Sequence, residues 1–492
     1  MSGTFIVLIP MLLPIILGII ILIMKEPEKR STLVIMTASG LLATACSVAI
    51  VLASGAESLY LFHLTKNIPV YFQIDNIGRI FVTVVSIIWV CAGIFSFTYM
   101  KHEANNKRYF GFYLIVYGIL VALDFSGNIV TFYIFYELMT ILSAPLVFHT
   151  QTRESIMAGL KYMFYSFCGA YMVLFGIYFI FTYGTTISFT AGGVLNPDLI
   201  VGNEGILLVV VALMILGFSV KAGMCPLHAW LPTAHPVAPA PASAALSGII
   251  VKSGVLGIIR VVYYLFGAAF ISGTWVQTTW LILTLMTVFM GSMLAFREKV
   301  LKKRLAYSTV SQVSYILFGL ALCNPIGMTG AILHVIFHAF IKCTLFLCAG
   351  AIIFKTGNIK VSELRGIGKQ MPITIGCFTF VSLALVGIPP TSGFISKWYL
   401  AIGSLQASVG VISWVGPIVL LVSALLTAGY LFPIAINGFF PGVDYDEATL
   451  ERKEPNKTML IPMIILTLLA VVLGMFPTKL IEFIYQLCAG LM

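Results

Sequence analysis

The chain is 492 residues long, 60% hydrophobic and only 9% charged, with a mean hydropathy of +1.04. A soluble fold has too little interior to hide that much apolar surface, so an all-α integral membrane protein is expected. The formal charge of +10 would suit nucleic acid, but most of the lysines and arginines lie in membrane-flanking loops, so the excess is a topology signal and no nucleic-acid partner is expected.

A hydrocarbon core of about 30 Å takes roughly 20 helical residues per crossing, so apolar runs between polar breaks read as spans. They fall at 5–24, 32–54, 77–99, 109–125, 128–148, 157–182, 204–228 and 242–266 in the first half. The second half continues with 278–296, 304–323, 327–354, 372–404, 411–439 and 459–487, giving about 14 transmembrane helices. The first run has no basic leader and ends at Lys25, Lys29 and Arg30, the wrong polarity for a cleaved signal peptide, and is expected to stay as a span. Nine cysteines are scattered through apolar runs without a C-x-x-C pair, so neither zinc nor an iron–sulfur cluster is expected in this chain.

If the spans alternate, the loops after the odd ones share one side. Those loops hold Lys25, Lys29, Arg30, Lys101, Lys107, Arg108, Arg153, Arg297, Lys299, Lys302, Lys303, Arg304, Lys355, Lys360, Arg365, Lys369, Arg452, Lys453 and Lys457, against Lys66, Arg79 and Lys479 opposite. Nineteen against three places the odd loops in the cytoplasm and both termini outside. Six of the 28 basic residues remain, and all fall inside spans: Lys161, Lys221, Lys252, Arg260, Lys342 and Lys397. A charge at mid-bilayer costs about 2.5 kcal/mol or more, so such groups face a protein interior or wet cavity and often mark ion pathways.

Glu137, in TFYIFYELMTILSAPLVF, is the acidic residue near the middle of a span. It reads as a proton relay in need of a cationic partner, against a protonated core carboxyl. Lys161 starts the sixth span near the cytoplasmic face, where snorkelling is the default. Lys221 lies in GFSVKAGMCPLHAWLP, where Gly217, Gly223 and Pro226 break the seventh helix and free backbone groups to face a cavity. His228 and His235 sit in HAWLPTAHPVAPAPA, which reads as a rigid cytoplasmic loop, as a proton entrance or as plain structure.

Lys252 is flanked by Ser247, Gly248, Ser253, Gly254 and Gly257, small residues that let helices approach and water enter. Arg260, permanently charged, reads as a structural or outer-end anchor. His334, His338 and Lys342 recur every four residues and form one polar stripe; a wire of titratable groups, hydrogen-bonded core histidines and, weakly, a metal pair are the readings. The fragment RGIGKQMP lacks the spacing and preceding strand of a nucleotide loop. In VGIPPTSGFISKWYL, Gly387, Pro389, Pro390 and Gly393 interrupt the twelfth helix and Lys397 follows, with snorkelling as its bland alternative. The two breaks lie about 165 residues apart, which hints at an internal repeat of the kind that places transport sites at discontinuous helices.

Three strings carry a resemblance: VKAGMCPLHAWLPTAHPVAPAPASAALSGIIVKSG, FYELMTILSAPLV and HVIFHAFIKCTLFL. They resemble the antiporter-like subunits of respiratory complex I, a family shared with Mrp cation/proton antiporters, energy-converting membrane hydrogenases and formate hydrogenlyases. The resemblance implies 14 helices with two inverted five-helix repeats, 109–266 for helices 4–8 and 278–439 for helices 9–13. Residues 1–108 would hold the first three helices and 459–492 the last, with helices 7 and 12 discontinuous. It implies a first half-channel of Glu137 with Lys221, a bridge at Lys252, and His334, His338 and Lys342 leading to Lys397. Some members carry glutamate where Lys397 stands, and the chain ends soon after its last helix, like the shorter subunits.

The expected function is proton or sodium translocation in a redox-driven complex of a prokaryotic cytoplasmic membrane. The resemblance implies no cofactor in this chain, iron–sulfur, nickel or flavin in partner subunits, and as partners other membrane subunits and peripheral redox subunits on the cytoplasmic side. A gradient-driven Mrp-type sodium/proton antiporter is the rival; the loop around HAWLPTAHP looks closer to the redox-linked members. A solute transporter would need a pocket the sequence does not suggest, and a purely structural subunit would leave the buried charges unexplained.

Overall fold

A computed structural model describes residues 5–26, 29–442 and 451–492. Long apolar runs without water must satisfy their own backbone groups, and here they do so as helices. In chain order these are α1 (Phe5–Ile23), α2 (Arg30–Ala53), α3 (Asn76–Tyr99), α4 (Asn106–Asp124), α5 (Ile129–Val147), α6 (Arg153–Tyr183) and α7 (Glu204–Ala222). There follow α8 (Leu231–Val237), α9 (Ala240–Phe266), α10 (Trp275–Arg297), α11 (Leu301–Ala321) and α12 (Pro325–Thr356). The last are α13 (Pro372–Val386), α14 (Ser392–Gln406), α15 (Ile412–Phe439), α16 (Lys457–Met475) and α17 (Thr478–Ala489).

Among the described residues eleven helices are long and apolar enough to cross a membrane. Helix α11 falls short of that measure because it carries Ser308, Thr309, Ser311, Gln312 and Ser314, all buried. Protein surrounds it, and Ser308, Thr309 and Ser311 find partners there. Ser292 of α10 lies 2.8 Å from Ser311 and 2.6 Å from Ser423 of α15, tying three helices together.

Two helices form the axis. An 18-residue stretch of α9 is 100% buried and one of α12 is 94% buried, whereas the corresponding stretches of α6 and α15 are 39% buried. Helix α9 is not regular: it opens into wide π turns at Leu246–Ile250 and Arg260–Phe266, on either side of Lys252.

The seventh and twelfth predicted crossings are broken as expected. Helix α7 stops at Gly223 with φ +75°, and α13 stops at Gly387 with φ +91°, a left-handed turn that glycine adopts without a Cβ clash. Two expectations need correction. The run 459–487 is two helices, since Pro477 supplies no N–H to continue α16 and the chain restarts at Thr478. The segment read as a cytoplasmic loop after His228 contains the helix α8, with Leu231, Ala234 and His235 fully buried. Between the second and third spans lies an antiparallel hairpin, β1 (Ser58–Thr65) and β2 (Ile68–Gln73), which pairs Ser58 with Gln73. It closes over the end of α4, with Gln73 N donating to Phe125 O at 2.6 Å and Gly127 N to Tyr71 O at 3.1 Å.

Candidate functional site

The break after α7 decides the surroundings of Lys221. The residue sits in the last turn, 0% exposed, and its ammonium donates to Thr140 Oγ1 of α5. The rings of Tyr136 and Tyr162 lie 4.5 and 5.6 Å from its Nζ, so a charged amine is held by one hydroxyl and two ring faces. Glu137 is a helical neighbour of both Tyr136 and Thr140 but forms no ion pair with Lys221. It is half-buried, its Oε1 has no hydrogen-bond partner, and the flanking Leu138 and Ile141 are exposed on the helix face turned away from the core.

Packing carries the file inward. Helix α9 meets α7 so closely at Gly254 that an added Cβ would stand 2.5 Å from Phe218 O and 3.3 Å from Lys221 Cβ. Two residues earlier, Lys252 is 2% exposed and donates to Ser247 O at 2.7 Å, a carbonyl supplied by the π turn. Lys252 lies within electrostatic reach of His338 and Lys342 on α12. Lys342 donates to Leu305 O of α11 at 3.0 Å, while both ring nitrogens of His338 lack partners.

The stripe continues to the second break. His338 stacks on His334 at 5.7 Å, and His334 stacks on Tyr315 at 5.6 Å. His334 Nδ1 lies 2.9 Å from Ser396 Oγ of α14. Lys397, the next residue, turns inward: its Nζ donates to Leu385 O at 2.6 Å and Val386 O at 3.0 Å and lies 5.1 Å from the Tyr315 ring centre. These carbonyls are the ones that the end of α13 leaves without an intrahelical partner, so the break and the lysine satisfy each other.

At the end bearing the basic loops, a cavity of about 250 Å³ is lined by Tyr99, Glu103, Pro236, Val300 and Lys302 among others. Lys302 donates to Pro236 O at 3.0 Å and Ala238 O at 2.5 Å. Burial raises the Glu103 carboxyl above its ordinary range, against the lowering pull of Lys302 and His102. His235, the next residue inward, stacks on Phe346 at 4.8 Å with both nitrogens unpartnered.

Residues 126–432 match the family described as NADH:quinone oxidoreductase/Mrp antiporter, transmembrane, and residues 63–110 match the complex I chain 5 N-terminus. The chain belongs to this family. It is 31% identical over 426 residues to NADH-quinone oxidoreductase subunit N of Desulforudis audaxviator, covering 84% of this chain and 83% of that protein. Hydrogenase-4 component B of Escherichia coli is also 31% identical over 426 residues, 82% of this chain and 62% of that one. A Na(+)/H(+) antiporter subunit of Bacillus subtilis is 26% identical over 473 residues, 95% and 93% of the two chains. In fold the chain is similar to a subunit of the Mrp complex from Dietzia sp. DQ12-45-1b, with TM-score 0.85, 21% identity, and 100% and 98% coverage.

Within this NADH:quinone oxidoreductase/Mrp antiporter member, two residues outside the file stand out. Arg260 is 2% exposed and takes both carboxylate oxygens of Asp75, NH1 donating to Oδ2 and NH2 to Oδ1 at 2.8 Å, with the Phe189 and Tyr264 rings each 4.7 Å away. The anchor expected of Arg260 therefore has a named partner. Asp124, the last residue of α4, is 2% exposed, and its Oδ2 has no partner. Thr140, Asp75 and Asp124 escape a reading of the sequence that looks for charges at mid-span: one is uncharged and two lie at span ends. Asp75 carries a usable signal, an N-cap residue whose Oδ1 accepts from Gly78 N at 2.8 Å. Among the described residues no group of three or more His, Cys, Asp or Glu could hold a metal ion.

Proposed function

We propose that this chain is the ion-translocating, antiporter-like subunit of a redox-driven membrane complex, moving protons or sodium ions without redox chemistry of its own. The observation that carries the reading is the series of buried or inward-turned ionisable groups Lys221, Lys252, Lys342, His338, His334 and Lys397, running from one broken helix to the other with every amine on a hydrogen-bond acceptor. A purely structural role does not call for ionisable groups in the most deeply buried helices. The relatives at 31% identity, a quinone oxidoreductase subunit and a hydrogenase component, favour redox drive.

In this reading 109–266 and 278–439 are two inverted repeats flanked by 1–108 and 459–492, the basic loops face the cytoplasm and both termini lie outside. Glu137 is the control element. It makes no ion pair with Lys221 but lies within its electrostatic reach, on a face open to a neighbouring subunit, so the charge state of that neighbour sets whether Glu137 helps hold Lys221 charged. Releasing Lys221 sends its proton toward Lys252, the histidines and Lys397, and Glu103, Lys302 and His235 line the inlet. Iron–sulfur, nickel or flavin groups belong to partner subunits.

Gentle purification of the tagged chain with its partners, followed by mass spectrometry and an iron assay, tests the drive. Iron-containing subunits are the expected result, and a complex of membrane subunits alone would replace this reading by the gradient-driven antiporter. Lys221→Ala or Glu137→Ala in that complex should abolish translocation and leave assembly intact, while Lys161→Ala is milder; a fully active Lys221→Ala complex would refute the assignment. The antiporter alternative rests on the 26% identity to the Bacillus subtilis Na(+)/H(+) antiporter chain, which extends over 95% of this chain.

A further inference from the structure

We propose that Asp124 is a second proton-holding carboxyl of this chain and exchanges its proton with Lys252, opening a branch from the middle of the file toward the end opposite the basic loops. Asp124 and Lys252 line one small cavity, about 10 Å³, together with Leu120, Gly248, Ser253 and Val335. Lys252 borders that space with a flexible four-carbon stem, so its amine can be repositioned within it toward the carboxyl.

Asp124 is not needed as a counter-ion. The Arg260 fork is taken on both sides by Asp75, and Asp124 receives no hydrogen bond from it. An ionised carboxylate with an unpartnered buried oxygen is costly, and a protonated one beside a neutral amine is not. Transfer breaks an N–H bond of Lys252 and forms an O–H bond on Asp124, so the ammonium and carboxylate become an amine and an acid. The groups that bias this exchange are Lys252, Arg260 and Tyr264 of α9, Asp75 at the head of α3, and His338 and Lys342 of α12, which face Lys252. Beyond them lie the cover of β1 and β2 over the end of α4 and the segment around Phe189, whose N donates to Gly127 O.

The inference rests on the ion-translocating reading. In liposomes holding the intact complex, Asp124→Asn should lower the initial rate of proton translocation about 100-fold at parental assembly, and Asp124→Glu should restore most of it. Parental rates in an assembled Asp124→Asn complex overturn the proposal. Infrared difference spectra of the complex with ¹³C-labelled aspartate provide a measurement that needs no Asp124 variant. A protonated aspartate carbonyl band that shifts in Lys252→Met supports the exchange, and a spectrum without such a band, or with one blind to Lys252→Met, refutes it. A parental complex that translocates nothing would instead overturn the function proposed above, while the infrared result still judges Asp124.

Discussion

Replacing Asp75 by Asn isolates the worth of its pairing with Arg260, because asparagine caps a helix as well as aspartate and the bond from Gly78 N survives. Removing one partner of a buried ion pair costs about 3–5 kcal/mol, since the other charge is stranded. Here Arg260 is 2% exposed but Asp75 is 22% exposed, and two aromatic faces at 4.7 Å still hold the guanidinium, so the low end, about 3 kcal/mol, is expected. Asp75→Ala should cost about 1 kcal/mol more through the lost cap. Adding Arg260→Met to Asp75→Asn should recover about 2 kcal/mol, because a pair replaced by apolar groups is close to neutral. The assay is a dodecyl-sulfate unfolding titration of the detergent-purified chain, followed by tryptophan fluorescence. Asp75→Asn within about 1 kcal/mol of the parent, or no recovery on adding Arg260→Met, would refute the reasoning.

At Gly254 an alanine Cβ would press on Phe218 O at 2.5 Å and Ala222 N at 3.0 Å, so Gly254→Ala should cost about 1–3 kcal/mol, read as a lower melting temperature of the complex. Ser396→Ala removes the partner of His334 Nδ1, worth about 1 kcal/mol, and should slow translocation roughly fivefold at unchanged assembly, with Ser396→Thr close to parental. His149, beyond the end of α5, is held neutral by burial and then by Arg108, with its pKa pushed down to about 4. The unfolded chain takes up that proton below about pH 6.5 and the folded one does not, so stability falls as pH drops from 6.5 toward 4. Melting temperatures across that range should decline less steeply in His149→Gln than in the parent.

Much of the file was legible because its chemistry is expensive. A lysine in the middle of an apolar run has few explanations, and Lys221, Lys252, Lys342 and Lys397 each occupy buried or inward-turned positions with an acceptor in place. The two breaks were legible from glycine and proline clustered where a helix should continue. Partners were not, because they come from tertiary approach: Thr140 serves Lys221 from 81 positions away, and Asp75 serves Arg260 from 185. Asp124 lies at the end of an apolar run, where an acidic residue is ordinary, and only the hairpin's cover sets it apart; β1 lacks the alternation that would announce a strand, its burial pattern being open along most of its length. Glu137 and Lys221 lie within electrostatic reach of each other but form no ion pair, a distinction that depends on helix rotation and is not legible residue by residue.

Helix α12 runs for 32 residues, about 48 Å at 1.5 Å per residue, well beyond a hydrocarbon layer of about 30 Å. Encased by other helices along nearly all of that length, it has almost no lipid to answer to, and neither does α9. Bilayers of different thickness therefore strain the outer palisade of α2, α6 and α15, which can tilt, while the spacing of the histidines and lysines stays fixed. The proposed conducting line is mechanically insulated from its own solvent, so its rate should be indifferent to acyl-chain length over a range that visibly changes the stability of the rim.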